Sequence, residues 1–257
     1  MIEVEVRQFV CLKDNFGVLV HHPDSGCTVA IDVPEAAPYL QVLEETGWNL
    51  TDILITHHHW DHIGGMAELV EKTGAKVTGP ERSRQHITGM NRFVEDGDDI
   101  LVGPIAVKAI GTPGHTLDHI SWWFQEAGIA HTGDTLFALG CGRVFEGDPE
   151  MMWASLSHLA NTLPPETRIY CGHEYTLANA KFALTIDPNN QALQERTKRI
   201  EALREVGRPT LPTSMAAELS TNPFLRVRDP LVQKNLNMVN AEPVDIFTEI
   251  RRRKDNF

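Results

Sequence analysis

Apolar runs with a two-residue period alternate with stripes of helical period along the first two thirds of the chain, and after His173 only the helical period remains. Met1 to Arg7 alternates like a half-exposed strand. Val18 to Val20 and Thr28 to Val33 read as strands on either side of Pro23-Asp24-Ser25-Gly26, a hairpin-type turn. Ile53-Leu54-Ile55 is an unbroken apolar run and predicts a buried strand. Ile105, Val107 and Ala109 alternate, and Ile129 to Thr132 and Arg168 to Cys171 are short strand-like runs. Helices are predicted over Pro38 to Thr46, stopped by Gly47, and around Met66, Leu69 and Val70, stopped by Gly74. Asp148-Pro149 is an N-cap and first-turn pair opening a helix striped by Met152, Leu156, Leu159 and Leu163. Ala178 to Leu184, Gln191 to Val206 and Asp245 to Arg253 are further helices, with Gly207 to Pro212 a rigid connection. The pattern predicts an α/β domain over residues 1–173 and a helical one over 174–257.

Candidate chemistry concentrates in Thr56-His57-His58-His59-Trp60-Asp61-His62, directly after the buried strand and ahead of Gly64-Gly65. Alternate residues leaving a strand project the same way, so His57 and His59 can meet one cation while the next turn aims Asp61 and His62 elsewhere. Imidazole nitrogen and carboxylate oxygen without thiolate suit Zn²⁺, which is the default, and also Fe or Mn. Trp60 and Asp61 interrupt the histidines at defined positions, unlike a plain histidine-rich surface tract. His58 and Trp60 are expected to point away, packing or hydrogen-bonding.

Four ligands do not complete two metal sites, and three later segments offer more. His115 in Thr112-Pro113-Gly114-His115-Thr116, Asp134 in Gly133-Asp134-Thr135 and His173 in Gly172-His173-Glu174 each follow a strand-like run. Loops at one sheet edge converge although they are distant in sequence, which is how a rigid scaffold positions a site.

These motifs, THHHWDH, TPGHT, GDTLF and GHEYT in that order, together with Asn222-Pro223-Phe224-Leu225-Arg226-Val227 and the terminal Arg251-Arg252-Arg253-Lys254-Asp255-Asn256-Phe257, resemble the glyoxalase II (hydroxyacylglutathione hydrolase) family of the metallo-β-lactamase superfamily. The resemblance spans the chain. It implies an αββα sandwich with a C-terminal α-helical domain, the first part carrying a binuclear metal site and the second binding substrate. One metal would be held by His57, His59 and His115, a second by Asp61, His62 and His173, with Asp134 bridging. Two divalent ions against two carboxylates and one shared hydroxide leave a net charge of about +1, suited to an anionic substrate and a developing oxyanion. The implied reaction is hydrolysis of an S-(2-hydroxyacyl)glutathione, typically S-D-lactoylglutathione, to glutathione and D-lactate, with Asp61 and Asp134 serving the bridging hydroxide.

The same resemblance assigns the glutathione portion to Arg143, Phe145, Tyr175, Arg251 and Lys254. In Gly140-Cys141-Gly142-Arg143-Val144-Phe145-Glu146-Gly147, Arg143 and Phe145 replace the commoner Lys and Tyr, so the charge is kept and one hydroxyl is lost. Arg251 and Lys254 are three apart and can share a helix face, whereas Arg252 and Arg253 read as a solvated helix end complementing its dipole.

Composition narrows the alternatives. A net charge of −12 disfavours nucleic acid as a partner, because a phosphate backbone asks for a basic surface. Cys11, Cys27, Cys141 and Cys171 form no CxxC motif, so reduced thiols and a cytoplasmic protein are expected. The N-terminus carries no signal-peptide pattern, no apolar run is long enough to span a membrane, and a monomer is expected. Other enzymes of the same scaffold, a lactonase, a β-lactamase-like hydrolase or a one-iron persulfide dioxygenase, fit Tyr175, Arg251 and Lys254 less well, and a metal-free binding protein would not need all seven ligands.

Overall fold

The computed structural model describes residues 2–257, and the chain divides into two compact units: the chain up to Gly111 with Thr116–Gly133, and Thr112–His115 with Asp134–Phe257. In the first unit the order is β1 (Glu5–Cys11), β2 (Asn15–His22), β3 (Cys27–Ile31), α1 (Ala36–Thr46), β4 (Asp52–Leu54), α2 (Trp60–Ile63), α3 (Met66–Thr73), β5 (Lys76–Pro80) and β6 (Arg92–Val94). The strands β7 (Asp99–Val102), β8 (Ile105–Gly111), β9 (Ile120–Phe124) and β10 (Ile129–His131) follow. Strands β1 to β6 form one sheet in chain order, antiparallel as far as β3 and parallel from β3 to β6. Strands β7 to β10 run as an antiparallel meander.

Ile53-Leu54-Ile55, in and directly after β4, is the unbroken apolar run of the parallel part and is fully buried, as a central parallel strand must be. Leu19, Ala30, Ile53, Ile55 and Val77 pack with Tyr39 and Leu43 of α1 and Met66 and Leu69 of α3 in one cluster. Full burial of each large aliphatic side chain contributes about 1.5–3 kcal/mol, so this cluster anchors β4 and the loop that leaves it. The indole of Trp122 on β9 donates to the Ile55 carbonyl at 3.1 Å, and Ile120 N donates to Thr56 O at 2.9 Å. The chain leaving β4 is therefore held at two successive carbonyls before the histidines begin.

The second unit contains β11 (Leu136–Phe137), β12 (Gly140–Cys141), α4 (Pro149–Thr162), β13 (Arg168–Tyr170), α5 (Thr176–Ile186), α6 (Gln191–Glu205), β14 (Thr213–Ser214), α7 (Met215–Thr221), α8 (Pro230–Leu236) and α9 (Pro243–Asp255). Asp148 caps α4 by accepting from Met151 N at 2.8 Å, with Pro149 in the first turn. Leu139 packs with Ala180 and Ala183 of α5 and Leu193 and Ile200 of α6 in one apolar cluster. No helix of the described residues is long and apolar enough to cross a membrane.

Three expectations from the hydrophobic pattern are adjusted. The N-terminal strand begins at Glu5 and runs to Cys11, because it pairs with β2 from Glu5↔His21 to Cys11↔Asn15; Met1 lies outside the described residues. Strand structure does not stop at His173, since β14 at Thr213–Ser214 pairs with β13 through Ile169↔Thr213. Helices α7 and α8 carry too few apolar positions to form a stripe, and α7 buries Glu218 and Thr221 instead.

Candidate metal centre

In the first unit His57, His59, Asp61 and His62 follow β4 within one loop and the single turn of α2. His57 Nε2 lies 3.1 Å from His59 Nδ1, and the His57 and His62 rings are 4.2 Å apart. Two nitrogens bound to one tetrahedral cation at ~2.0–2.1 Å would stand about 3.3 Å apart, so the His57–His59 spacing fits a shared ion.

The backbone and hydroxyl of Thr56 explain how these rings are oriented. Thr56 N donates to Asp32 Oδ1 at 2.7 Å and Thr56 Oγ1 donates to Asp32 Oδ2 at 2.8 Å. The hydroxyl has only one proton, so at 2.9 Å from His57 Nδ1 it must accept, and the His57 proton sits on Nδ1. His62 Nδ1, 2.8 Å from Asp32 Oδ2, likewise donates. Both Nε2 atoms are then unprotonated, the form in which imidazole binds a cation. Asp32 is buried at 1% exposure and holds a left-handed φ of 54° directly after β3.

His58, which alternates with the candidate ligands, turns to Asp118: its Nδ1 is 2.8 Å from Asp118 Oδ2, which also accepts from Ser83 Oγ. Burial pushes the Asp118 carboxyl up, but hydrogen bonds from Ser83, Thr116 and His58 outweigh it and hold the group below its ordinary value. Trp60 is exposed.

In the second unit His115, Asp134 and His173 are all buried. Asp134 Oδ2 lies 3.5 Å from His115 Nε2 and 3.3 Å from His173 Nε2, so one carboxylate oxygen faces both imidazoles. His115 Nδ1 donates to the Arg143 carbonyl at 2.9 Å, which again leaves Nε2 unprotonated. Two glycines make this possible. Gly114, at φ 142°, brings the turn against Met152, and a Cβ on Gly142 would stand 1.9 Å from the Asp134 carbonyl.

The residues expected around the substrate gather in the same unit. Tyr175 stacks on His173 with centroids 4.7 Å apart and planes 5° apart, and Phe137 meets both edge-on. Phe145 is exposed with its ring 5.1 Å from that of His115. Arg251 is buried, donating from Nη1 to Cys141 O at 2.9 Å and Gly142 O at 3.4 Å, and pairs with Asp255 at 2.8 Å. Lys254 donates to Ala178 O and lies over the rings of Phe182 and Phe257. Burial and the nearby charges of Arg251 and Arg143 bring its ammonium down to about 8. The positive charges of Arg143, Arg251 and Lys254 thus lie close enough to repel one another.

The helices also hold the turn after GDTLF. Glu218, fully buried, accepts from Leu139 N at 2.8 Å, Asn222 Nδ2 at 3.0 Å and the guanidinium of Arg196. Asn222 donates onward to the carbonyls of Phe137 and Gly140. This is the work of Asn222, at the head of the Asn222-Pro223-Phe224 segment that the family resemblance included without a role. Asp32, Asp118 and Glu218 were not foreseen; the one available signal was Asp32 closing an apolar strand at the same edge as the ligands.

All four cysteines are free and buried, and burial raises the thiols of Cys11 to about 12 and Cys141 to about 11, so none is a nucleophile at neutral pH.

The architecture is that of the metallo-β-lactamase superfamily, whose family model matches residues 23–173. It is similar to the crystal structure of ETHE1 from Myxococcus xanthus, with TM-score 0.67 and 28% identity over 97% of this chain and 98% of that one. It is also similar to TTHA1623, solved in a di-iron-bound form, with TM-score 0.60 and 26% identity over 86% of this chain and 100% of that one. A second model, described as hydroxyacylglutathione hydrolase C-terminus, matches residues 174–257. A hydroxyacylglutathione hydrolase of Mesorhizobium japonicum is 54% identical over 254 residues, 99% of each chain. The chain belongs to the hydroxyacylglutathione hydrolase family.

Proposed function

We infer that the chain hydrolyses S-(2-hydroxyacyl)glutathione thioesters, S-D-lactoylglutathione being the expected substrate, to glutathione and the hydroxy acid. Family membership over nearly the whole length supports the reaction. The observation that carries the chemistry is Asp134 Oδ2 facing both His115 and His173, the placement a carboxylate shared by two cations needs. In this reading His57, His59 and His115 hold one divalent ion, Asp61, His62 and His173 a second, and Asp134 lies between them. The donor set fits, because the Nδ1 protons of His57, His62 and His115 are all engaged and each Nε2 is left to bind. Bound divalent ions would supply an acidified water and a Lewis acid for the thioester carbonyl. Zinc is the expected metal, with iron or manganese compatible with an all-nitrogen-and-oxygen set.

The protein's own groups do the rest. Tyr175, stacked on His173, presents an aromatic face and a hydroxyl toward the peptide portion of the substrate. Arg143 and Lys254 provide positive charge for the glutathione carboxylates, drawing an anion to a chain that is acidic as a whole. Arg251 spends its donors on the loop backbone and contributes mainly field and shape. The helical region 174–257 acts as the substrate-binding part. Four free thiols support a reduced, cytoplasmic setting, the net charge of −12 disfavours nucleic acid as a partner, and we expect a monomer.

The deciding experiment compares hydrolysis of S-D-lactoylglutathione with that of a thioester lacking glutathione, with and without chelator, alongside metal analysis. Two ions per chain and chelator-sensitive activity on the first substrate support the reading. Activity only on the second overturns the substrate, and full activity with full metal in Asp134→Asn removes Asp134 from its place.

A further inference from the structure

Asn15 belongs to none of the ligand motifs, yet it touches a proposed ligand twice. Its amide Nδ2 donates to the Asp61 backbone carbonyl at 3.0 Å and to Asp61 Oδ2 at 3.1 Å, across 46 residues of sequence. The oxygen it selects is the one that faces His62 Nε2, 3.8 Å away. One –NH₂ group has two protons, and here both go to the same residue, so the amide fixes the Asp61 carboxylate relative to its own backbone.

The surroundings hold Asn15 itself in place. It is the first residue of β2, opposite Cys11, and is 4% exposed, whereas the Asp61 side chain is 24% exposed. The hairpin tip before it is pinned where Leu12, at a left-handed φ of 51°, donates its N–H to Glu35 Oε2 at 2.8 Å. An aspartate in place of Asn15 would face Asp61 with like charge and no donor, so the amide chemistry is specific. We propose that Asn15 is a positioning residue for Asp61, turning Oδ2 toward the cation that Asp61 and His62 would share. This rests on Asp61 being a metal ligand.

The test uses the full chain loaded with zinc and competed against a chromogenic chelator, read as the concentration at which each ion leaves. Asn15→Leu keeps the γ-branched shape and removes both donors. It should release one ion about 10–100-fold more readily, the usual effect of removing a group that orients a ligand, and leave the other unchanged. Asp61→Asn should release the same ion, and Asn15→Leu in the Asp61→Asn background should add nothing further, because the group being positioned is gone. Asn15→Ser, smaller and still polar, should show the same loss of coupling if Leu is not accommodated. Wild-type release in Asn15→Leu and Asn15→Ser, or effects that add in full to Asp61→Asn, overturn the proposal while leaving the ligand reading intact. Unchanged release in Asp61→Asn overturns the ligand reading and the proposal with it.

Discussion

Asp32 Oδ2 lies 2.8 Å from His62 Nδ1 while the same oxygen accepts from Thr56 Oγ1 at 2.8 Å, so one buried carboxylate sets the protonation of two histidines. His62 is oriented directly and His57 through the threonine hydroxyl. Asp32→Ala should therefore weaken metal retention at both positions by about 10–100-fold, measured by chelator competition. Thr56→Val, which removes only the relay to His57, should affect retention less.

Lys254 titrates near 8, below a free lysine, because it is half-buried beside Arg251 and Arg143. If it holds a substrate carboxylate, KM for the glutathione thioester should rise as pH passes through about 8 and the ammonium is lost, and Lys254→Gln should flatten that rise. Stability moves the other way. A depressed lysine means that the folded chain binds fewer protons than the unfolded one between about 8 and the ordinary lysine value, so stability increases with pH across that window. Urea midpoints of wild type and Lys254→Gln should converge at its upper end.

Arg251 is expected to act mostly through structure. Removing its guanidinium leaves the buried carbonyls of Cys141 and Gly142 without that donor and loosens the loop carrying Arg143. Arg251→Met should lower stability by about 1.5–3 kcal/mol, the range for hydrogen bonds to a charged group, read by urea denaturation. KM should rise with it. Arg251→Lys, which keeps charge but not the planar fork, should recover only part of both.

Phe145 is 61% exposed, with room at the ring edge for a hydroxyl. Phe145→Tyr should lower KM for the glutathione thioester roughly 2- to 10-fold, the effect of one added hydrogen bond, with kcat little changed. An unchanged or higher KM would mean that the ring does not face the ligand.

The loop of candidate ligands stands out in sequence because its information is local: the apolar run Ile53-Leu54-Ile55 forms the end of a buried strand, and the residue spacing after it sets which side chains project together. The same holds for the turn at Gly47, where φ is 71°, and for Asp148 capping α4. The short helices were not legible. Helix α7 is held by Glu218 reaching Arg196, Leu139 and Asn222, partners 22, 79 and 4 residues away, and no periodicity records such bonds.

Sequence by itself determined the donor types, their order and the strand ends that carry them, since side-chain direction follows backbone period within a few residues. Tertiary structure decided which nitrogen of each histidine is left to bind, because that depends on the acceptor behind the ring: Asp32 for His62, Thr56 for His57, the Arg143 carbonyl for His115. It also decided that Asn15 lies on Asp61 and that Arg251 turns inward to the loop backbone. Hydrogen bonds are short-ranged and directional, so partners far apart in the chain are specified only once packing has brought them within 3 Å or so of each other.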